Sequence, residues 1–262
     1  MLRHERLSAL LELVATQGSV SVDDIVQEFQ ISAATVRRDL NDLASQQFIS
    51  RTRGGAVAHA VTYDLPLRYK RDRRTEQKRR IAEGVADLVT PDSVVALNGG
   101  TTMTEVARSL ATRTEGGHEV APLTSLTVVT NALNIANELA VRPNLKVVVI
   151  GGVLRPQSFE LIGPFAQAVL EGVTLDVMLL GVDAVSATHG AAATHEGEAL
   201  INGVMVERAR RVVVVADSSK LGQRAFCTIC AAGSIDELVT DADADPAVVE
   251  QFEALGVDVR LA

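Results

Sequence analysis

The chain is short of the features that would place it in several large classes of protein. Apolar residues make up 47% of it, yet no stretch of eighteen is free of charge or turn signals, so nothing in it qualifies as a membrane span. The N-terminal stretch MLRHERLSALLELVATQG carries Glu5 and Glu12 inside its apolar pattern and has no small-residue cleavage site. That composition differs from a secretory signal peptide and leads to the expectation of a cytoplasmic protein. Only two cysteines are present, Cys227 and Cys230, in a C-x-x-C spacing. A zinc site usually takes four ligands, and no second pair or nearby histidine supplies the rest. No metal and no cofactor is therefore expected, and the thiols are read as buried or idle, with a redox or metal role as the alternative. Internal repeats and low-complexity tracts are absent. So is an excess of positive charge: the net charge of −8 argues against a protein that coats nucleic acid indiscriminately.

At 262 residues the chain is long enough for about two domains, each with its own core. Its charge is unevenly spread. Residues 1–60 hold six arginines against seven carboxylates, whereas residues 61–80 hold eight basic residues against three acidic ones. That leaves twelve net negative charges for residues 81–262. Positive charge is thus local, in Arg68, Lys70, Arg71, Arg73, Arg74, Lys78, Arg79 and Arg80. Pro66 disfavours helix at Leu65, so the boundaries expected are a domain over 1–60, a linker over 61–76 and a second domain over 77–262. The basic cluster is either a solvated linker face or a source of non-specific phosphate attraction.

The first domain is organised around Ile31 to Leu40. Leu7, Leu10, Leu11 and Val14 recur at helical spacing and stop at Gly18, a residue suited to a helix end. Ser21 and Asp23 offer caps for a short second helix with Val22, Ile25, Val26 and Phe29 inward. Ser32 then caps a third, in which Val36, Leu40 and Leu43 mark the inward face. Two short helices joined by a tight turn, over about Val20 to Asp39, form a helix-turn-helix unit whose second helix enters the DNA major groove. Ser32, Ala33, Thr35, Arg37 and Arg38 lie mostly off the apolar stripe, where they could reach base edges and phosphates; taken alone, the same pattern also suits an ordinary surface helix. From Gln46 to Val57 apolar and polar residues alternate around Gly54-Gly55, which predicts a β-hairpin wing. Arg51 and Arg53, two apart, would share a strand face toward the sugar-phosphate backbone.

These residues resemble a known family. Ser32, the run Thr35-Val36-Arg37-Arg38-Asp39-Leu40, Leu43 and Arg51-x-Arg53-Gly54-Gly55-Ala56 are similar to the DNA-binding domain of the DeoR family of bacterial transcriptional regulators. The resemblance implies an α+β winged helix-turn-helix that binds operator DNA, usually as the repressor of a sugar-catabolic operon.

From Asp92 onward short β-rich runs alternate with helical stretches, the pattern of an α/β domain with a mostly parallel sheet. Strands are expected near 93–97, 127–130, 146–150, 176–181, 211–216, 237–240 and 257–260. Helices are expected near 74–88, 103–111, 132–141, 164–170, 198–210 and 246–255, with long loops at 121–125 and 186–193. Ligands of such sheets bind beyond the carboxyl ends of the strands. There the chain places Asn98-Gly99-Gly100-Thr101-Thr102 before a helix, where glycines allow close backbone approach and a helix N-terminus favours an anion. Asn131, Gly151-Gly152, Asp183 and Asp217-Ser218-Ser219-Lys220 follow four other strands.

The resemblance extends to this half through Lys78-x-x-Ile81-Ala82, Gly100-Thr101-Thr102, Thr127 to Asn131, Gly151-Gly152 and Asp217-Ser218-Ser219-Lys220-x-Gly222. It implies a domain similar in fold to ribose-5-phosphate isomerase and a phosphorylated sugar as effector. The phosphate would lie on Gly99, Gly100, Thr101 and Thr102 with Lys220 as counter-charge, and Asn98, Asn131, Gly152 and Asp183 would line the rest. The family often has aspartate where this chain has Asn98, and an amide could not serve as a carboxylate base. Two half-sites would require at least a dimer. The rival reading is a sugar-phosphate isomerase-like enzyme with His195, Glu196 and Glu198 as acid/base groups; activation in place of repression would use the same architecture.

Overall fold

A computed structural model describes residues 3–46, 48–58, 67, 74–115 and 123–262. The chain divides into two compact units, Met1–Arg73 and Arg74–Ala262. The expected linker residues Tyr63 to Pro66 and Arg68, together with Lys70, Arg71 and Arg73 of the basic cluster, lie outside the described residues, as do the first two residues of the loop expected at 121–125.

In the first unit α1 (Arg3–Gln17) ends at Gly18, whose φ of 74° is one that a side chain would resist. There follow β1 (Ser19–Ser21), α2 (Val22–Phe29), α3 (Ala33–Ser45), β2 (Ile49–Arg51) and β3 (Gly55–Ala58). Ser21 caps α2 in a reciprocal box with Asp24, one residue beyond the Asp23 expected, because the third helical residue is the one whose side chain reaches back. Ser32 caps α3 by accepting from the Thr35 N–H at 3.2 Å, as its position in the sequence predicts. Leu10, Leu11, Ile25, Val36, Leu40 and Leu43 interlock in one buried cluster. Strand β1 was not anticipated; it adds to the wing and gives the order β1-β3-β2. Gly55 allows it, since a Cβ there would stand 1.9 Å from the Val20 carbonyl oxygen.

The second unit comprises α4 (Thr75–Ala86), β4 (Val94–Leu97), α5 (Thr101–Glu115), β5 (Leu126–Thr130), α6 (Leu133–Leu139) and β6 (Leu145–Val149). These are followed by β7 (Val153–Arg155), β8 (Glu160–Ile162), α7 (Phe165–Glu171), β9 (Leu175–Gly181), β10 (Ala184–Ser186) and β11 (Gly190–Ala193). The chain closes with α8 (Glu196–Arg208), β12 (Ala209–Val215), a 3₁₀ turn (Ser218–Lys220), β13 (Cys227–Cys230), β14 (Glu237–Thr240), α9 (Pro246–Glu253) and β15 (Asp258–Leu261). Seven strands form one sheet in the order β15-β14-β12-β9-β4-β5-β6, parallel at every pairing.

Both faces of this sheet are covered, as a parallel sheet requires. Val95, Leu97, Val213 and Val215 enter one buried cluster, with Ile81, Val106 and Ile135 from α4, α5 and α6. Their strand neighbours Ala96, Val212 and Val214 enter a second cluster, with Leu170, Met205 and Phe252 from α7, α8 and α9. The period of two along each strand therefore feeds two cores at once. Strand β4 comes first in sequence; β5 and β6 lie to one side of it and β9, β12, β14 and β15 to the other. The connection reverses between β4 and β9, and a crevice opens at such a point.

Two small antiparallel pieces depart from expectation. The stretch 186–193, predicted as a loop, instead forms much of a β10–β11 hairpin that continues into β13. It is rich in alanine and lacks the β-branched alternation that marks strands. The β7–β8 hairpin, also unanticipated, is carried to the end of β5, where the Leu161 N–H donates to the Asn131 carbonyl oxygen at 2.7 Å. No helix among the described residues is long and apolar enough to cross a membrane.

Within the first unit α1 and α3 are tied by Arg6, whose Nε and Nη2 donate to Asp39 at 2.6 and 3.3 Å. Asp39 is buried, and this bond raises the Arg6 pKa. Replacing Asp39 with alanine removes the acceptor and is expected to cost about 2 kcal/mol. Hydrogen exchange of the α1 and α3 amides in the full chain measures it; protection equal to the parent's would refute this role.

Candidate reader face and ligand site

The α3 helix turns Val36, Leu40 and Leu43 inward. Ala34, Arg37, Arg38 and Asn41, at steps of three, one and three, are exposed along its outer face. The Arg37 and Arg38 guanidinium groups bond to none of the described residues, so their donors are available to a partner. The first turn is more committed. The Ser32 hydroxyl lies 2.9 Å from that of Thr35 while capping the helix, and Ala33 packs partly against the core. Ala34 and Asn41 were missed, although their spacing from Arg37 and Arg38 is a signal the sequence carries.

Arg51 and Arg53 do not share a strand face. Strand β2 ends at Arg51, and Arg53 lies in the exposed turn that follows. Arg51 folds back: its Nε donates to Asn41 Oδ1 at 3.0 Å and its Nη1 to the Gly55 carbonyl oxygen. It thereby fastens the wing to α3, and Arg53 is the arginine left at the wing tip. The strand is cut short because Thr52 closes a turn onto Gly55.

In the second unit the residues singled out lie at the carboxyl ends of the strands. Asn98, directly after β4, is buried. Its Nδ2 donates to the Gly181 carbonyl oxygen at 2.9 Å, and its Oδ1 accepts from the Gly181 N–H at 2.8 Å. An amide satisfies both partners, whereas a carboxylate would set an acceptor against that carbonyl. Gly100 has a φ of 115° and precedes α5, whose first N–H groups have no partner within the helix. Thr101 and Thr102 are half-buried there.

Gly152 serves packing. A Cβ on it would meet the Ile162 carbonyl oxygen at 2.7 Å, so it lets the chain before β7 approach β8. Asp183 Oδ2 accepts from the Thr194 N–H at 2.8 Å, joining the end of β9 to that of β11. Lys220 stands on the turn after β12, two strand spacings or about 10 Å from β4, a span a lysine side chain can partly bridge. Arg74, expected in the linker, begins the second unit on this same turn. Its Nη1 donates to Ser218 Oγ at 2.8 Å, and its Nε lies 3.8 Å from Asp217.

The structure adds residues that the sequence reading missed. Glu160, at the start of β8, is buried. It accepts from Asn131 Nδ2 at 2.9 Å and lies against Gly99, where a Cβ would meet its Oε1 at 2.4 Å. Burial, and then the neighbouring Glu198 and Asp183 carboxylates, push its pKa up to about 8, against the opposing effect of Asn131 and the Gly99 N–H. Glu160 faces Arg155 across the β7–β8 hairpin, and Arg155 Nη1 donates to Glu198 at 3.0 Å, both side chains being buried. A signal existed in Arg155 and Glu160 flanking Pro156-Gln157-Ser158-Phe159, a turn-prone stretch after the glycine pair.

The rival acid/base set is largely engaged elsewhere. His195 Nδ1 accepts from the Gly197 N–H at 3.1 Å as the cap of α8, its Nε2 lies 4.0 Å from the exposed Glu196, and Glu198 is held by Arg155. Cys227 and Cys230 are free and half-buried on β13, paired with Ala193 and Ala191 of β11 across a register shift and packed against the same core cluster; burial pushes the Cys230 thiol up.

Between the ordinary carboxyl value of 4.5 and about 8, the folded chain holds a proton on Glu160 that the unfolded chain has released. Stability from this group therefore falls as pH rises through that window. Glu160→Gln, uncharged at every pH, is expected to gain melting temperature relative to the parent between about pH 5 and pH 8. A difference that stays flat across that range would rule the shift out.

Comparison with known proteins agrees with both halves. Residues 6–61 match the model described as "DeoR-like helix-turn-helix domain", and residues 73–242 match that described as "DeoR C terminal sensor domain". The glycerol-3-phosphate regulon repressor of Escherichia coli (strain K12) is 31% identical over 95% of this chain and 95% of its own. The HTH-type transcriptional regulator GlpR of Haloferax volcanii is 35% identical over 99% of this chain and 98% of its own. Among solved structures, ribose 5-phosphate isomerase A of Methanocaldococcus jannaschii covers 56% of this chain and 54% of its own, at 18% identity and a TM-score of 0.41. With reader and sensor domains both matched and close to the full length shared with regulators, the chain belongs to the DeoR family of transcriptional regulators.

Proposed function

We propose that the protein is a sequence-specific repressor of a sugar-catabolic operon, acting in the cytoplasm as at least a homodimer and released from operator DNA by a phosphorylated sugar. The observation that carries the DNA half is the outer face of α3, where Arg37 and Arg38 hold out unengaged guanidinium forks. The groove-facing set is Ser32, Ala33, Thr35, Arg37 and Arg38, with the two arginines supplying base or phosphate contacts and the engaged hydroxyls holding the helix start. Arg53 reaches flanking backbone from the wing tip, and Arg51 serves by fixing the wing. Near-zero charge in the first 60 residues leaves little for indiscriminate attraction, so direct contacts and paired half-sites account for affinity.

In the sensor the phosphate lies on the N–H groups and hydroxyls of Thr101 and Thr102 at the start of α5, with Gly100 allowing close approach and Lys220 as counter-charge. Gly99 contributes its small size, since Glu160 already stands against it. Asn131 and Asp183 meet the remainder of the ligand; Asn98 and Gly152 shape the site from behind. The ligand releases DNA by favouring an arrangement of subunits that no longer matches two half-sites.

Arg37→Ala and Arg38→Ala are each expected to weaken binding to the chain's own upstream DNA by about 10- to 100-fold at matched salt, in a gel-shift or anisotropy titration. Unchanged affinity in both would remove α3 as the reader. In the sensor, Lys220→Ala should abolish the thermal stabilisation that a sugar phosphate confers; a retained shift would take Lys220 out of the site.

A further inference from the structure

The side-chain acceptors of α3 and its N-terminal cap are already engaged within the protein. The Ser32 hydroxyl accepts from the Thr35 N–H at 3.2 Å and lies 2.9 Å from the Thr35 hydroxyl, so the polar groups of the first turn hold each other. Asp39 is buried and takes two bonds from Arg6. Asp42 accepts from Arg3 Nη2 at 2.8 Å, and Asn41 Oδ1 accepts from Arg51 Nε at 3.0 Å. In the last turn the Ser45 hydroxyl donates to the Asp42 carbonyl oxygen at 2.7 Å. What the outer face keeps is of two kinds. Arg37, Arg38 and the Asn41 amide nitrogen are donors, and Ala34, exposed one turn before the arginines, is a methyl group. Its neighbours do not offer the same, since Ala33 packs partly against the core and Thr35 is half-buried.

Adenine and cytosine each display an amino donor in the major groove, and a side chain that recognises it must accept. An asparagine amide that grips adenine needs its oxygen free, and Asn41 has given that oxygen to Arg51. Guanine presents two acceptors to a guanidinium fork, and thymine presents an acceptor and a methyl group. The donors and the methyl group left on α3 therefore match guanine and thymine edges. We infer that Ala34 is a specificity-determining residue of the reader, packing its methyl group on the C5-methyl group of a thymine close to a guanine taken by Arg37 or Arg38. The inference rests on α3 being the reading helix. Residues near the start of such a helix are those that meet base edges, and Ala34 stands in the first turn. It lies about 5–6 Å from the two arginines between Cβ atoms, and base pairs stack about 3.4 Å apart, so both contacts fall within a few pairs. A cytosine in the thymine's place would bring an amino donor against the alanine, stripped of water and unpaired.

The test uses the full chain and duplexes from its own upstream DNA, with the protected half-sites located by footprinting. Each thymine in them is replaced in turn by uracil, which differs only in lacking the C5-methyl group, and each guanine by 7-deazaguanine, which lacks the N7 acceptor. Anisotropy at matched salt reads the affinity. In the unaltered chain, uracil at one thymine of each half-site is expected to weaken binding about fourfold, or about 0.8 kcal/mol. A 7-deazaguanine within about three base pairs of it should weaken binding about tenfold. In Ala34→Gly and in Ala34→Ser the thymine-to-uracil ratio at that position should fall to about 1.5-fold or less, with the 7-deazaguanine effect retained. The ratio compares two duplexes on one protein, so any helix propensity lost with the alanine cancels. The uracil scan of the unaltered chain needs no variant to fold. No thymine sensitive to loss of its methyl group, or a sensitivity that persists in both variants, would overturn the inference while leaving α3 as the reader. Arg37→Ala and Arg38→Ala chains that bind as tightly as the parent would overturn both.

Discussion

The ligand end of the sensor depends on the pair of hydrogen bonds between the Asn98 side chain and the Gly181 backbone. The β4–β9 ladder runs out at Leu97 and Leu179, where the crossovers leave for opposite sides of the sheet. At that point the chains would splay and leave polar groups unmet. Asn98 extends the ladder by one rung with its side chain, giving a donor to one Gly181 atom and an acceptor to the other. Everything nearby takes its position from that rung: Gly99 and the start of α5 on one side, Asp183 and the β10–β11 hairpin on the other. Gly181 itself is needed there, because a Cβ on it would come within 2.6 Å of Met103 Cγ in the first turn of α5. The amide at position 98 thus has a structural account, independent of any question of catalysis.

The reader domain solves a different problem with similar economy. Its arginines and carboxylates nearly cancel, yet they are not equivalent, because position decides which are spent. Arg6 goes to Asp39 and Arg3 to Asp42, so two carboxylates on the reading helix are neutralised by α1. Arg51 is taken up by Asn41 and Gly55. The cations left outward on the helix are Arg37 and Arg38, with Arg53 at the wing tip. A near-neutral domain can therefore present a locally positive face.

Much of this was legible in the sequence. Helices showed through apolar spacing and caps, as at Ser32, and the core strands through runs such as Val212 to Val215. What escaped was short or lacked pattern: β1 has three residues, and β11 is Gly-Ala-Ala-Ala. The strand-end rule picked out the loops proposed for the ligand, but it could not say which of their groups were already engaged. Asn98 and Gly152 turned out to face protein, and Arg51 likewise, since a side chain's partner across the fold leaves no trace in local spacing. Glu160 and Arg155 escaped for the converse reason. They lie on a hairpin that no ladder of the main sheet announces, and only its bridge to Asn131 brings them to the site.

That hairpin has a bearing on how the chain behaves over time. The groups assigned to the ligand come from loops after β4, β5, β9 and β12, dispersed between Asn98 and Lys220, and the β7–β8 hairpin is bonded to one of them at Asn131. On the proposed assignment no single loop of the sensor holds more than a fraction of them, so the site requires β4, β5, β9 and β12 to be assembled together. A ligand gripped by all of these loops is bound by the native state and by nothing less, and it adds its binding free energy to the cooperative stability of the entire unit. Occupied molecules would then unfold less often and meet proteases less often than empty ones. If the proposed ligand site holds, the ligand would set how long each regulator molecule survives as well as whether it holds DNA.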